Sequence, residues 1–167
     1  PMDCAAVVVL DETALPVLKQ AAEGMNRGLT ALYGRKDPNG RVELEEAALP
    51  QRVWSAACRD DTLDLLGLLA NGVFAMHDTI PDKVSASSNL GMVSAEDGTI
   101  TARAFLRCAE RFSEELLSGQ HARAARRCGF TRSTVGYPGW PGSADNPLAR
   151  RMADIYFRLT GERANIT

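Results

Sequence analysis

The residues of this chain best suited to chemistry are two arginines and a phenylalanine on one side of a short alternating run. From Ile100 to Arg107 the residue types alternate, with Ile100, Ala102, Ala104 and Leu106 on one face and Thr101, Arg103, Phe105 and Arg107 on the other. That period of two is the signature of a strand buried on one side. Two guanidinium groups around a large aromatic are an odd choice for a plain solvated face. Arg107 stands at the end of the run, just before a helix signal, where its planar fork can be held toward a carboxylate. By spacing alone, the favoured reading is a surface strand arginine near a helix start.

Other chemistry is sparse. His77 and His121 lie far apart, and Cys4, Cys58, Cys108 and Cys128 form no C-x-x-C pair, so the spacing supports neither a disulfide framework nor a zinc site. The nucleophile elbow, the P-loop and the dinucleotide fingerprint are all missing. The reading assigns no catalytic residue and no metal ligand. A net charge of −2 argues against a dedicated nucleic-acid binder. Binding of RNA on a sheet needs exposed stacking aromatics, and only Phe105 fits. The sequence shows neither an apolar run of about 18 residues nor a basic-then-apolar leader, so no membrane span or signal peptide is predicted. Reduced thiols in a cytoplasmic protein are expected.

The arginines need a frame. Val84 to Cys108 reads as two strands joined by a tight turn at Glu96-Asp97-Gly98, since Asp-Gly accepts the positive φ angles of a short hairpin loop. Residues 4 to 10, C-A-A-V-V-V-L, read as a buried strand, and the chain opens at Pro1 directly before it, as a piece cut from a longer domain would. Residues 12 to 33 read as a helix with Leu15, Leu18, Ala22, Met25, Leu29 and Leu32 as its core stripe, Pro16 in its first turn and Gly34 as its stop. Val42 to Ala48 reads as an edge strand, and residues 51 to 71 as helical in two pieces. The second piece would be capped by Asp60 or Asp61, with Leu63, Leu66 and Leu69 or Ala70 inward. Residues 72 to 82 read as a connector, with His77 a loop histidine. Residues 108 to 127 form a helix buried along Ala109, Phe112, Leu116 and Gln120 or Ala124, and Thr131 to Gly136 the last strand.

From Val42 to Gly136 the order is therefore strand, helix, strand, strand, helix, strand. This predicts an α+β fold: a ferredoxin-like antiparallel sheet with its helices packed on one face, plus an N-terminal strand-helix and a C-terminal helix. At 167 residues the chain suits one domain or one and a fraction. The run Tyr137 to Pro147 has three prolines and two glycines and reads as a hinge. After it comes the cleanest helix, with Asn146 as N-cap, Pro147 at the first position, Leu148, Met152, Ile155 and Leu159 as its apolar stripe, and Gly161 as its stop.

Several of these runs resemble one family. Ser87-x-Asn89-x-Gly91 with Val93, then Asp97, Phe105-Leu106-Arg107, Tyr137-Pro138-Gly139-Trp140 and Asn146-Pro147-Leu148 are similar, in the same order, to the lid region of bacterial aminoacyl-histidine dipeptidases (Xaa-His or cytosol non-specific dipeptidases). These are zinc peptidases with a lid inserted in a catalytic domain. The resemblance implies that residues 1–136 are a lid domain, incomplete at its N-terminus, that 137–147 are a hinge, and that 148–167 return to an absent catalytic domain. Pro1 would match the proline closing a family motif whose asparagine lies upstream. The resemblance also implies zinc in the parent enzyme but none bound by this stretch. The family's histidine-x-aspartate motif, paired glutamates and terminal histidine have no counterpart here, so the chain alone should not hydrolyse peptides.

It further implies that Arg107 clamps the substrate's C-terminal carboxylate and that Asn89 lines the same pocket, with Arg103 substituting if the strand register slips. The partners it implies are a dipeptide and the chain's own catalytic domain. Lids of this type can pair through helix or edge-strand contacts, which allows a homodimer; nucleic acid and membrane are not among the partners. A different reading needs no missing residues: a free-standing ferredoxin-like regulatory module that binds a small carboxylate on the Arg103–Arg107 face.

Overall fold

The computed structural model describes residues 3–143 and 145–164. The reading of Pro1 and the ends of the two outer predicted segments lie outside them. The described residues divide into two compact units, one spanning residues 3–54 and the other beginning at Ser55.

The first unit contains a short 3-10 turn, Glu12–Ala14, capped by the Asp11 carboxylate, which accepts from the Thr13 N–H at 2.9 Å. It leads into helix α1, Leu15–Tyr33, with Pro16 in the first turn and Gly34 as C-cap, as the sequence predicts. Asn26 clips the following loop back to the helix. Its amide donates to the Val42 carbonyl at 3.0 Å and accepts from the Val42 N–H at 2.7 Å. Two expectations are corrected here. Residues 4–10 and 42–48 form no strand, and of the predicted α1 stripe only Ala22 is buried, while Met25 and Leu32 are well exposed. An apolar run forms a buried strand only beside a neighbour that satisfies its backbone, and none of the described residues of this unit supplies one. Glutamates at 43, 45 and 46 remove the apolar face that residues 42–48 would need.

The second unit carries the sheet. Its elements are helix α2 (Ala56–Leu68), strands β1 (Gly72–Met76), β2 (Val84–Glu96) and β3 (Thr99–Cys108), helix α3 (Arg111–Arg127) and helix α4 (Pro147–Thr160). The strands run β1-β2-β3, each pair antiparallel. Asp97 (φ 49°) and Gly98 (φ 76°) make the predicted two-residue turn, with Glu96 opposite Thr99. The α+β class, the antiparallel sheet and the placing of helices on one face all hold. The set of strands differs. Thr131–Gly136 forms no ladder, being mostly polar and exposed throughout, and the connector expected after residue 71 begins with β1. G-V-F-A-M lacks alternation, and two register shifts against β2 explain why.

The core joins the inner face of the sheet to α2 and α3. Leu65 packs with Ala124, Ala125 and Cys128, and Ala70 with Ala86 and Leu117; Ala102, Leu106 and Cys108 flank these groups. The inward positions match those predicted only in part: Ala70 and Ala124 are buried and Leu69 packs on the core. Thr62 and Leu65 are buried on α2, and Leu117, His121, Ala124 and Ala125 on α3, whereas Leu63, Phe112 and Leu116 face outward. The cap of α2 also differs: it is one helix, started by Ser55, whose hydroxyl accepts from the Cys58 N–H at 3.2 Å.

His121 explains the rotation of α3. It is buried, its Nε2 lies 3.2 Å from the Ala70 carbonyl oxygen, and that bond ties α3 to the end of the α2 segment. A pattern search that treats histidine as polar turns the helix the other way. Burial pushes the imidazole pKa below its ordinary value, against a smaller opposing pull from the Ala70 carbonyl, and the Arg132 guanidinium lowers it further. In the unfolded chain the ring takes a proton near pH 6.5. In the folded chain it resists until lower pH, so the unfolded state binds more protons in the interval between. Stability is therefore full above about pH 6.5 and falls as pH drops toward the folded value. Thermal melts at pH 7 and pH 5 should show this fall, and His121→Gln should flatten it; an unchanged slope in that variant would remove His121 as the source.

Helix α4 begins and ends as its sequence requires. The Asn146 side chain accepts from the Leu148 N–H at 2.9 Å, and Gly161 closes the helix at φ 75°. Its stripe, Leu148, Met152, Ile155 and Leu159, is exposed along its whole length.

Candidate functional site

The site residues lie on the outer face of β2 and β3, opposite the core. Every odd-numbered residue of β3 from Thr99 to Arg107 is exposed and every even-numbered one from Ile100 to Cys108 half-buried, as the alternation predicts. The register sets Ser87 opposite Arg107, Asn89 opposite Phe105, Met92 opposite Arg103 and Ser94 opposite Thr101. A bulge between Leu90 and Met92 leaves Gly91 as the extra residue and returns Met92 and Ser94 to the outer face.

Arg107 and Asn89 are therefore diagonal neighbours on one surface, close enough for long side chains to share a ligand. Arg103 lies four residues from Arg107, about 13 Å along the strand. The hairpin turn fixes this register, and no slip substitutes Arg103 for Arg107. Both guanidinium groups are exposed, and neither pairs with a carboxylate among the described residues. A fork left free of internal partners is available to an anionic ligand.

The Pro-Gly segment crosses the same end of the sheet. Gly139 presses against the Cys108 carbonyl, one residue after Arg107, so closely that a Cβ there has no room. His77, just beyond β1, holds the segment a little further on. Its Nδ1 accepts from the Thr79 and Ile80 N–H groups, each at 3.2 Å, so the proton sits on Nε2, which donates to the Gly142 carbonyl at 3.1 Å. The Asp78 carboxylate lies 3.2 Å from Nδ1, a contact that becomes an ion pair only on a protonated ring. His77 is thus a fastening for the hinge-like segment, a role that no spacing signal could reveal. Tyr137 and Trp140 stack on each other, with centroids 6.1 Å apart, and remain exposed.

One buried pair has the look of chemistry without the means. Ser88 Oγ is 3.3 Å from His121 Nε2. That same nitrogen must carry its proton to bond the Ala70 carbonyl, which only accepts. It cannot also receive the serine proton, so no nucleophile is activated and the pair belongs to the core.

All four cysteines are free. Burial pushes the Cys108 thiol up, and the Cys128 thiol is raised by burial and by the Asp64 and Asp61 carboxylates, so both stay protonated and unreactive near neutral pH. Among the described residues no group of three or more His, Cys, Asp or Glu side chains could hold a metal ion. Those residues offer no set of donors that fits the zinc expected of a parent enzyme. No helix among the described residues is long and apolar enough to cross a membrane.

No family model matches the chain. The cytosol non-specific dipeptidase of Escherichia coli (strain K12) is 23% identical to it over 167 residues, which span 99% of this chain and 34% of that protein. The crystal structure of aminoacylhistidine dipeptidase from Vibrio alginolyticus superposes with a TM-score of 0.79 at 23% identity, covering 95% of this chain and 32% of that one. The chain thus spans about a third of the length of the relatives it matches. The resemblance read from the hairpin and the Y-P-G-W segment is found again by both comparisons: the chain is similar, over nearly all its length, to one third of a cytosol non-specific dipeptidase and has the fold of one third of an aminoacylhistidine dipeptidase.

Proposed function

We propose that this chain is the lid portion of a zinc-dependent, cytoplasmic dipeptidase that hydrolyses Xaa-His and other unspecific dipeptides, and that its part is to bind the substrate's C-terminal carboxylate. The observation that carries the reading is the free Arg107 fork on the open face of the hairpin, with Asn89 diagonal to it. A bidentate guanidinium–carboxylate pair both attracts the ligand and fixes its angle. In a dipeptide, holding the C-terminus sets the distance to the scissile carbonyl, so the clamp measures substrate length and orients the bond for attack. Asn89 lines the same pocket and offers an amide to a carboxylate oxygen or to the peptide.

In this reading the catalytic groups and the zinc ligands belong to the rest of the enzyme, so the chain by itself is inactive. The segment at 137–147 is the hinge, residues 1–136 the lid, and the exposed α4 stripe docks on the catalytic domain. A homodimer formed through the lid is part of the same proposal.

The test is to isolate the protein from its source cells. The expected product is several-fold larger than 18.0 kDa and hydrolyses dipeptides, with activity lost to a chelator and restored by zinc. A native product of 18.0 kDa without hydrolysis would overturn the proposal and leave a free-standing module that binds a small carboxylate.

A further inference from the structure

The outer face holds one group that a carboxylate clamp does not use. Phe105 stands between Arg103 and Arg107 and directly across from Asn89. Its neighbours on that face along β2 and β3 are mostly polar: Ser87, Asn89, Ser94, Thr101 and the arginines. The ring is 53% exposed, so it is not part of the core. Nor is it loose. Its Cδ2–Cε2 edge rests on Gly91 so closely that a Cβ there would lie 2.9 and 2.8 Å from those two atoms, with the Asn89 amide nitrogen 3.6 Å from the same point. The bulge puts a residue without a side chain under the ring, and the ring is fixed on that side and open on the other. An anchored, half-exposed aromatic beside a free arginine is a surface built to receive a flat, partly apolar group.

Spacing says which group. Same-face neighbours along a strand are about 6.7 Å apart, which is the offset from Arg107 to Phe105. In a dipeptide whose carboxylate sits on Arg107, three carbon–carbon bonds of about 1.5 Å separate the carboxylate carbon from the first ring atom of a C-terminal histidine, phenylalanine, tyrosine or tryptophan. That reach lets the ring come within the roughly 4.5–7 Å centroid separation at which aromatic pairs attract. The side chain of a C-terminal glycine or alanine cannot reach.

We propose that Phe105, held by Gly91, reads the C-terminal side chain of the substrate and favours dipeptides ending in a planar ring, imidazole included. The inference rests on the clamp reading above and adds the specificity determinant to it. A protonated imidazole adds a cation–π attraction to the same ring.

The test uses the full-length enzyme with Ala-His, Ala-Phe and Ala-Ala. Phe105→Leu should lower the kcat/KM ratio of Ala-His over Ala-Ala, and of Ala-Phe over Ala-Ala, by roughly three- to tenfold, expressed mainly in KM. Phe105→Tyr should keep the ratios. Gly91→Ala, which leaves the ring no room, should lower them as Phe105→Leu does. Arg107→Ala should depress all three substrates, Ala-His and Ala-Phe at least as much as Ala-Ala. An equal fall for all substrates in Phe105→Leu, or ratios that do not move, overturns the inference while the clamp stands. If Arg107→Ala leaves all three substrates untouched, or if the full-length protein hydrolyses none, the clamp reading falls and this one with it.

Discussion

On the clamp reading proposed above, replacing Arg107 with alanine in the full-length protein should lower kcat/KM for dipeptides by roughly tenfold to a hundredfold, with a raised KM and an unchanged zinc content. The size follows from what is removed. A hydrogen-bonded charge pair contributes roughly 1.5–3 kcal/mol when partly desolvated, and each 1.36 kcal/mol is about tenfold in rate. Arg107 is exposed, so its removal leaves no buried partner stranded, and the fold should keep its melting temperature. Lysine at 107 restores the charge without the fork and should recover only part of the loss. Arg103→Ala is the internal control: it lies on the same face, four residues further along β3 from the hinge-bearing end, and should cost much less. Steady-state kinetics with metal analysis decides it. Wild-type kinetics in Arg107→Ala, or a loss of zinc in parallel with activity, would remove the clamp.

Leu65→Ala should be strongly destabilising, and Leu63→Ala close to neutral. Leu65 is 4% exposed and packs on Ala124, Ala125 and Cys128. Its partners on α3 are mostly alanines, so they have little side chain with which to close a cavity. A loss of roughly 2–5 kcal/mol is expected for such a site, which corresponds to a melting temperature lower by roughly 10 °C or more. Leu63 is 59% exposed and should cost no more than about 0.5 kcal/mol. Thermal unfolding of the two variants side by side tests the rotation of α2. If Leu63→Ala were the worse of the pair, the helix would face the sheet as its leucine spacing alone predicts.

That pair of leucines shows where reading the sequence stops. Leucine spacing at 63, 66 and 69 gives a credible stripe, but only its end, Leu69, packs on the core, and Leu63 faces outward. The face that wins carries Thr62 as well as Leu65, because the Thr62 hydroxyl donates to the Cys58 carbonyl at 2.7 Å and so can be buried without loss. The same holds for His121 on α3, satisfied by Ala70 and Ser88. A polar residue with its bonds made counts as core, and the sequence does not say whether the bonds are made.

The features legible in the order of residues alone are local in origin. Asp97-Gly98 fixed the hairpin and its register, the period of two fixed which side of β3 faces outward, and Asn146-Pro147 with Gly161 fixed the limits of α4. Each depends on backbone angles and side-chain bonds within a few residues. Only the tertiary structure decided the rest. β1 became a strand because β2 gave it a ladder, and residues 4–10, 42–48 and 131–136 stayed without one because no described partner pairs with them. The bulge at Gly91 brought Phe105 down beside Asn89, and His77 tied the Pro-Gly segment near Arg107. Strand pairing, burial and long-range hydrogen bonds are properties of neighbours, and the order of residues names the neighbours only once the chain has folded.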